Sequence, residues 1–156
     1  YEEIVNLLRD KIKDVSITTD VIVGFPGETD EEFNETYEFL KRIKLTKTHI
    51  FKYSQRTGTK AYSMENQVDG TAKDKRSKIL IELNKVNEEN FTKSYIGKTL
   101  DVLFEEKYSK EENYYVGYTK NYIRVIAKAD CDISSKILNV KIENAQGEIA
   151  KGTLEI

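Results

Sequence analysis

Three stretches of this sequence hold ligand-gripping residue types at spacings that chemistry can use. The first is Val23-Gly24-Phe25-Pro26-Gly27-Glu28-Thr29. Two glycines allow close backbone approach to a bound molecule, and a helix starting just beyond them turns free N–H groups toward an anion. It is not a phosphate loop: no lysine follows Gly27, and Glu28, Asp30, Glu31 and Glu32 repel phosphate. A tight, well-capped strand-to-helix turn explains the same residues, so a ligand loop and a structural turn both stand. Just upstream, Asp20 interrupts an apolar run, where a carboxylate is costly without a partner. It serves either a ligand at this turn or a structural hydrogen bond.

The second stretch, Tyr53-Ser54-Gln55-Arg56-Thr57-Gly58-Thr59, presents an arginine on a loop. A guanidinium there suits a carboxylate or phosphate, a solvated loop arginine being the plain alternative. The third runs from Lys120 to Lys128. Read as a strand, it puts Asn121, Ile123, Val125 and Ala127 on a core face and Lys120, Tyr122, Arg124 and Lys128 on the other, interrupted by Ile126. Cations flanking a tyrosine suit nucleic acid, with charges on phosphates and the ring on an unpaired base. A solvated strand face is the alternative. His49, the only histidine, lies in a strand and reads as packed or hydrogen-bonded rather than catalytic. Cys131, flanked by Asp130 and Asp132, is poorly placed for a reactive thiolate. No catalytic residue and no metal-ligand set is assigned.

These stretches need elements to position them. Ile4, Leu7, Leu8 and Ile12 are the stripe of a first helix ending near Lys13. The run from Val15 to Val23 is β-branched on both faces and predicts a largely buried parallel strand. Thr29 and Glu32 form a capping box for a helix with Phe33, Tyr37, Leu40 and Ile43 inward. A strand at 46–53 completes a βαβ unit. A polar loop to Gly70 follows, then a charged helix from Thr71 to Lys93 with Ile79, Leu80, Leu83, Val86 and Phe91 as its stripe, read as a connector. From Lys98 the pattern is all β: Leu100, Val102 and Phe104 alternate, and a charged turn covers 107–113. One long strand, or a pair bent at Gly117, covers 114–130. Two more strands, at 137–143 and 148–156, are separated by a turn at 144–147, predicting a small barrel. The expected organisation is therefore an α/β part over 1–70, a connecting helix over 71–96 and an all-β barrel over 97–156.

The chain has 156 residues, 38% hydrophobic and 33% charged, with 25 basic against 27 acidic. Near-neutral charge excludes global attraction to nucleic acid or anionic membrane, so binding needs a local patch. From Lys93 onward basic and acidic residues are equally numerous, so the Lys120–Lys128 patch alone would bind weakly and salt-sensitively. No apolar run is long enough to cross a bilayer and no secretory leader pattern opens the chain, so a reducing cytoplasm is expected. One cysteine excludes an internal disulfide and any multi-cysteine cluster built from this chain alone. Tyr1-Glu2-Glu3-Ile4 enters an amphipathic pattern with no initiator methionine, which predicts a fragment.

Several segments together resemble the C-terminal part of the radical S-adenosylmethionine methylthiotransferases. They are 19–29, Tyr53-Ser54 with Arg56, Gly58-Thr59-Lys60-Ala61, Gln67-Val68-Asp69-Gly70 with Lys73 and Arg76, Ile96-Gly97-Lys98, and Gly117-Tyr118-Thr119-Lys120-Asn121-Tyr122. The resemblance implies the last part of an incomplete radical α/β barrel followed by a small OB-like β-barrel, the TRAM domain, which binds RNA. It implies that Asp20, Gly24, Gly27, Glu28 and Arg56 border an S-adenosylmethionine pocket. It implies that Lys120, Tyr122, Arg124 and Lys128 touch the anticodon arm of tRNA. The parent enzyme would use S-adenosylmethionine and two 4Fe-4S clusters whose ligands lie in N-terminal domains of the same polypeptide, so this chain alone would be inactive. Where the family carries proline, this chain has Gln55 and Thr57, implying a less rigid Arg56 loop. His49, Lys60-Ala61 and Asp69-Gly70 with Arg76-Ser77-Lys78 resemble the branch acting on N6-threonylcarbamoyladenosine. Branches acting on isopentenyladenosine or on a ribosomal-protein aspartate are the alternatives, as is a stand-alone TRAM-type RNA-binding module.

Overall fold

A computed structural model describes residues 1–109 and 113–155. The middle of the charged turn expected at 107–113, and Ile156 at the end of the last expected strand, lie outside the described residues. The chain divides into two compact units: Tyr1–Lys13 with Ile17–Asn87, and Asp14–Ser16 with Glu88–Ile156.

In the first unit, helix α1 (Glu2–Lys11) precedes strand β1 (Thr18–Val23), helix α2 (Asp30–Ile43), strand β2 (Lys47–Lys52) and most of helix α3 (Gly70–Lys93). β1 and β2 pair in parallel, with Asp20 opposite His49 and Ile22 opposite Phe51, as the βαβ pattern predicts. The capping box is present: Thr29 accepts from the Glu32 N–H, and the Glu32 carboxylate accepts from the Thr29 N–H. Val5, Val23, Leu40, Ile43, Leu45 and Leu80 form the core.

Three expectations change here. The α1 stripe does not face inward: Ile4, Leu7 and Ile12 are exposed, and Val5 is the helix's one buried residue. The α2-facing side carries charge instead. Glu2 pairs with Arg42 at 3.1 Å, and Arg9 donates to the carbonyls of Ile43 and Lys44, both at 2.7 Å, covering free groups at the C-terminus of α2. Strand β1 is not buried on both faces, because Asp20 and Ile22 look outward while Val21 and Val23 pack inward. β-branched composition is the same whether a face is covered or open. Nor is α3 only a connector, since Arg76, Ser77 and Leu80 are buried in this unit.

In the second unit, strands β3 (Thr99–Lys107), β4 (Tyr114–Thr119), β5 (Arg124–Lys128), β6 (Ile137–Gln146) and β7 (Ile149–Leu154) close a barrel in the order β3-β4-β5-β7-β6. Only the β5–β7 contact is parallel. Val102, Phe104, Val125, Ala127, Val140, Ile142 and Ala150 fill the interior. The break expected at Gly117 falls instead at 120–123; Gly117 lies inside β4. The sixth strand runs through the turn expected at 144–147 as far as Gln146.

Gly117 has a different task. It is paired with Phe104 beside the bulge in β3, and a Cβ there would collide with the Leu103 carbonyl and come within 2.7 Å of the Phe104 Cα. Gly152 stands likewise against the β6 bulge at Ile142/Asn144. Bulges bend a sheet enough to close, and glycine tolerates the close approach that results. Gly117→Ala is expected to destabilise the barrel by about 2 kcal/mol, an overpacking cost. Urea unfolding followed by tyrosine fluorescence measures it, and an unchanged midpoint would contradict the tight approach.

Candidate functional site

The β1–α2 turn is held from inside. Gly24 is left-handed (φ 72°), and the space beside its Cα is filled by the Lys73 side chain, whose ammonium lies 5.2 Å from the Tyr53 ring centroid. Gly27, also left-handed (φ 89°), donates its N–H to the Asn66 carbonyl at 2.9 Å. One Glu28 carboxylate oxygen accepts from the Gly24 N–H at 3.0 Å, and the other meets Arg76 Nη1 at 2.6 Å. Arg76 Nη1 also donates to the Glu28 carbonyl, and Nη2 to Asp30 at 2.8 Å. The guanidinium lies over Phe33, 5.6 Å from the ring centroid. Arg76 is only 6% exposed, yet it neutralises carboxylates on both sides of the α2 N-terminus.

The predicted pocket residues therefore separate. Gly24 and Glu28 are occupied by Lys73 and Arg76. Asp20 is exposed rather than buried in an apolar strand, so its placement carries no burial cost. It shares the open face of the β1–β2 pair with Ile22, His49 and Phe51. Arg56 is exposed on its loop, where its carbonyl accepts from the N–H and hydroxyl of Thr59. His49 is exposed too, not packed. Arg76 itself carried no site role in the sequence. Its signal was the surplus of carboxylates at 28–32, which calls for a cation without saying which of several α3 cations supplies it.

In the barrel, the 120–128 segment is a turn followed by a strand. Residues 120–123 form the β4–β5 turn, and only Arg124–Lys128 are β5. The alternation holds within β5: Val125 and Ala127 are buried, Arg124 and Ile126 half-buried, Lys128 exposed. Arg124 is tethered, with its guanidinium 5.8 Å from the Tyr108 ring centroid and one nitrogen 4.0 Å from Glu148. Lys128 stands opposite Tyr114 in register, and the Tyr114 ring carries the Lys151 ammonium at 4.5 Å. Lys120 makes no ion pair among the described residues.

Tyr122 is the most outward of the candidates, 83% exposed and left-handed (φ 64°). Its turn is pinned from below. Asn121, expected on the apolar face, is a polar anchor: it accepts from Thr119 Oγ1 at 2.6 Å and donates to the Asp14 carbonyl at 3.1 Å and to the Tyr95 hydroxyl at 2.9 Å. Thr119 Oγ1 accepts from the Ile123 N–H, and the Tyr122 N–H reaches the Thr119 carbonyl. Tyr95 donates to Asp14, and burial, then the Asp14 charge, push its hydroxyl up to about 12. A left-handed tyrosine is strained, so this network sets its presentation. Cys131 is exposed and unpaired, and no metal-binding cluster occurs among the described residues.

No family profile matches the chain. Curated relatives do, over most of its length. It is 44% identical over 147 residues to the threonylcarbamoyladenosine tRNA methylthiotransferase of Bacillus subtilis, covering 93% of this chain and 33% of that protein. It is 32% identical over 154 residues to the tRNA-2-methylthio-N(6)-dimethylallyladenosine synthase of Acetivibrio thermocellus, covering 99% and 32%. For the synthase of that name from Aquifex aeolicus the figures are 37% over 142 residues, 91% and 32%. The chain thus spans about a third of the length of these relatives.

Arg76→Ala strands Glu28 and should cost about 3 kcal/mol, the low end for a broken buried pair because Asp30 is solvated. The Arg76 hydrogen bond is also the main cause holding the Asp30 carboxyl below its ordinary 3.8. A depressed carboxylate stabilises the fold above its unfolded pKa and loses that contribution as pH falls through the folded one. The gap between wild type and Arg76→Ala should therefore narrow below pH 3.8. Thermal melts between pH 7 and 2.5 read it, and a gap constant with pH would refute the ion pair's role.

Proposed function

We propose, from the premise that homologues over most of this chain are tRNA methylthiotransferases, that it is the C-terminal part of such an enzyme. In this reading the second unit is the TRAM barrel, which holds the anticodon arm of a tRNA. The first unit is the end of the radical barrel and supplies one side of the S-adenosylmethionine pocket. The observation that carries the reading is the barrel's outer face, where Tyr122 is held out on a pinned turn with Lys120 beside it, and Lys128 is exposed at the far end of β5. A planar ring with cations around it grips a single-stranded base and its phosphates.

The threonylcarbamoyladenosine substrate is supported by 44% identity to the enzyme of that name, against 32% and 41% for two of the dimethylallyladenosine synthases. Dimethylallyladenosine is the second reading. On the first unit, the open β1–β2 face offers Asp20 as an acceptor for hydroxyl or ammonium groups, with Ile22, Phe51 and Phe25 as apolar surface. That chemistry fits a nucleoside cofactor. Glu28 and Gly24 act by shaping the turn, and Arg56 remains free on its loop. The 4Fe-4S clusters find no ligand set here, since the chain has one cysteine. S-adenosylmethionine would supply the radical and methyl chemistry; the residues of this chain position. The chain alone is inactive in this reading, its partners being tRNA and N-terminal domains of the same polypeptide. No described helix is long and apolar enough to cross a membrane, and the proposed setting is the cytoplasm.

The test is fluorescence anisotropy of this chain with a labelled tRNA anticodon stem-loop at low and moderate salt. Tyr122→Ala should weaken binding about tenfold, as loss of one stacked base predicts. Lys120→Ala/Lys128→Ala should weaken it and flatten the salt slope. Arg124→Ala, removing a tethered cation, should cost less than Lys120→Ala. Absence of any salt-sensitive binding at low salt would count against RNA recognition by the barrel.

A further inference from the structure

The outer surface of the barrel carries a groove of about 560 Å³ whose lining includes Asp101, Leu103, Glu105, Lys120, Tyr122 and Ile137. Along β3 the outward residues read carboxylate, leucine, carboxylate: Asp101, Leu103 and Glu105 are exposed, whereas Val102 and Phe104 fill the core. Leu103 is the cross-strand partner of Ile137 on β6 and of Tyr118 on β4, so an apolar row crosses three strands. That row is open to solvent, with Leu103 44% and Ile137 68% exposed. Asp101, Glu105 and Lys120 make no ion pair among the described residues.

An apolar floor beside a projecting tyrosine suits a flat ring. Ionised carboxylates only accept hydrogen bonds, so they select the donor edge of such a ring and repel phosphate. The phosphate must then lie toward the one lining cation, Lys120. Among unpaired bases, guanine presents adjacent N1–H and N2–H donors that match the two oxygens of one carboxylate. Adenine and cytosine present one amino group, and uracil a single N3–H. We infer that this groove is a subsite for an unpaired guanine of an RNA, its ring on Leu103 and Ile137 beside Tyr122, its donor edge on Asp101 or Glu105, and its phosphate at Lys120. The inference rests on the RNA reading of the barrel and names what one part of that surface takes.

The test uses the whole chain and labelled hexaribonucleotides: all-uridine, and the same oligomer with one central guanosine, inosine or adenosine. Guanosine should bind about tenfold more tightly than uridine, with inosine, which lacks the N2 amine, in between. Asp101→Asn/Glu105→Gln should abolish the preference while leaving all-uridine binding unchanged or stronger, because two phosphate-repelling charges are gone. Ile137→Ser, on a surface position that leaves the core intact, should weaken the guanosine oligomer about threefold. Salt-sensitive RNA binding with no base preference, or a preference that survives the double variant, would overturn the guanine subsite and leave the RNA reading standing. Binding of none of these oligomers and of no anticodon stem-loop would overturn both.

Discussion

The first unit depends on one buried cation. Helix α2 begins with Asp30, Glu31 and Glu32, which complement the positive end of its dipole but crowd negative charge next to Glu28. Arg76 resolves the crowding. Its guanidinium joins Glu28 to Asp30 and rests on Phe33, while the far oxygen of Glu28 holds the Gly24 N–H. A single side chain from α3 thus sets the path of the turn, the start of α2 and the seat of α3, where Leu80, one turn on, enters the apolar cluster. A planar fork with several donors can do this; a lysine, with one nitrogen at the end of a flexible stem, cannot reach both carboxylates in fixed geometry. It follows that the Gly-Phe-Pro-Gly-Glu stretch is organised before any ligand arrives. In a site that must position a cofactor, that is the useful property, because a turn already fixed costs no ordering on binding.

The barrel solves a different constraint, closure with few strands. Two bulges bend β3 and β6, and a glycine stands opposite each where the neighbouring backbone comes closest. Closure leaves no sheet edge exposed, so the groups this barrel offers to a partner lie on its outer face and in its turns. The β4–β5 turn shows how this is done. Thr119 and Asn121 spend their side chains on the turn's own backbone and on Tyr95 and Asp14, and the strained residue that follows Asn121 is the exposed Tyr122. Strain held by a surrounding hydrogen-bond network at an exposed aromatic is what a preorganised stacking platform requires.

Much of this was legible from local pattern. The capping box at Thr29/Glu32, the parallel strands either side of α2, the alternation of Val125 and Ala127 and the all-β character after Lys98 depend on neighbours in sequence, and the structure has them. What was not legible depends on distant partners. Periodicity marked Ile4, Leu7 and Ile12 as the inward stripe of α1, but the side facing α2 is chosen by Glu2 and Arg9 meeting Arg42 and the end of α2, forty residues away in sequence. Asp20 looked costly because its neighbours are apolar; burial belongs to a face, and its face is open. Extending the β5 alternation back to Lys120 failed because the backbone reverses there, and alternation means nothing in a turn. Tyr122 kept its exposure for another reason, the αL geometry held by the hydrogen bonds of Thr119 and Asn121.

That correction changes how the surface would hold RNA. Four side chains on one strand would present a single row at even spacing, three of them cations, and binding would be chiefly electrostatic. In the folded barrel Arg124 is shared with Tyr108 and Glu148, which leaves Lys120 and Lys128 as the candidate cations with no ion pair among the described residues. Two phosphate contacts give only a shallow salt dependence and little affinity. Affinity must then come from ring and apolar contacts around Tyr122, which are insensitive to salt and sensitive to whether a base is free to leave its helix. A surface of that kind discriminates unpaired loops from duplex more sharply than it discriminates charge, and that selectivity suits recognition of a single-stranded loop within a folded RNA.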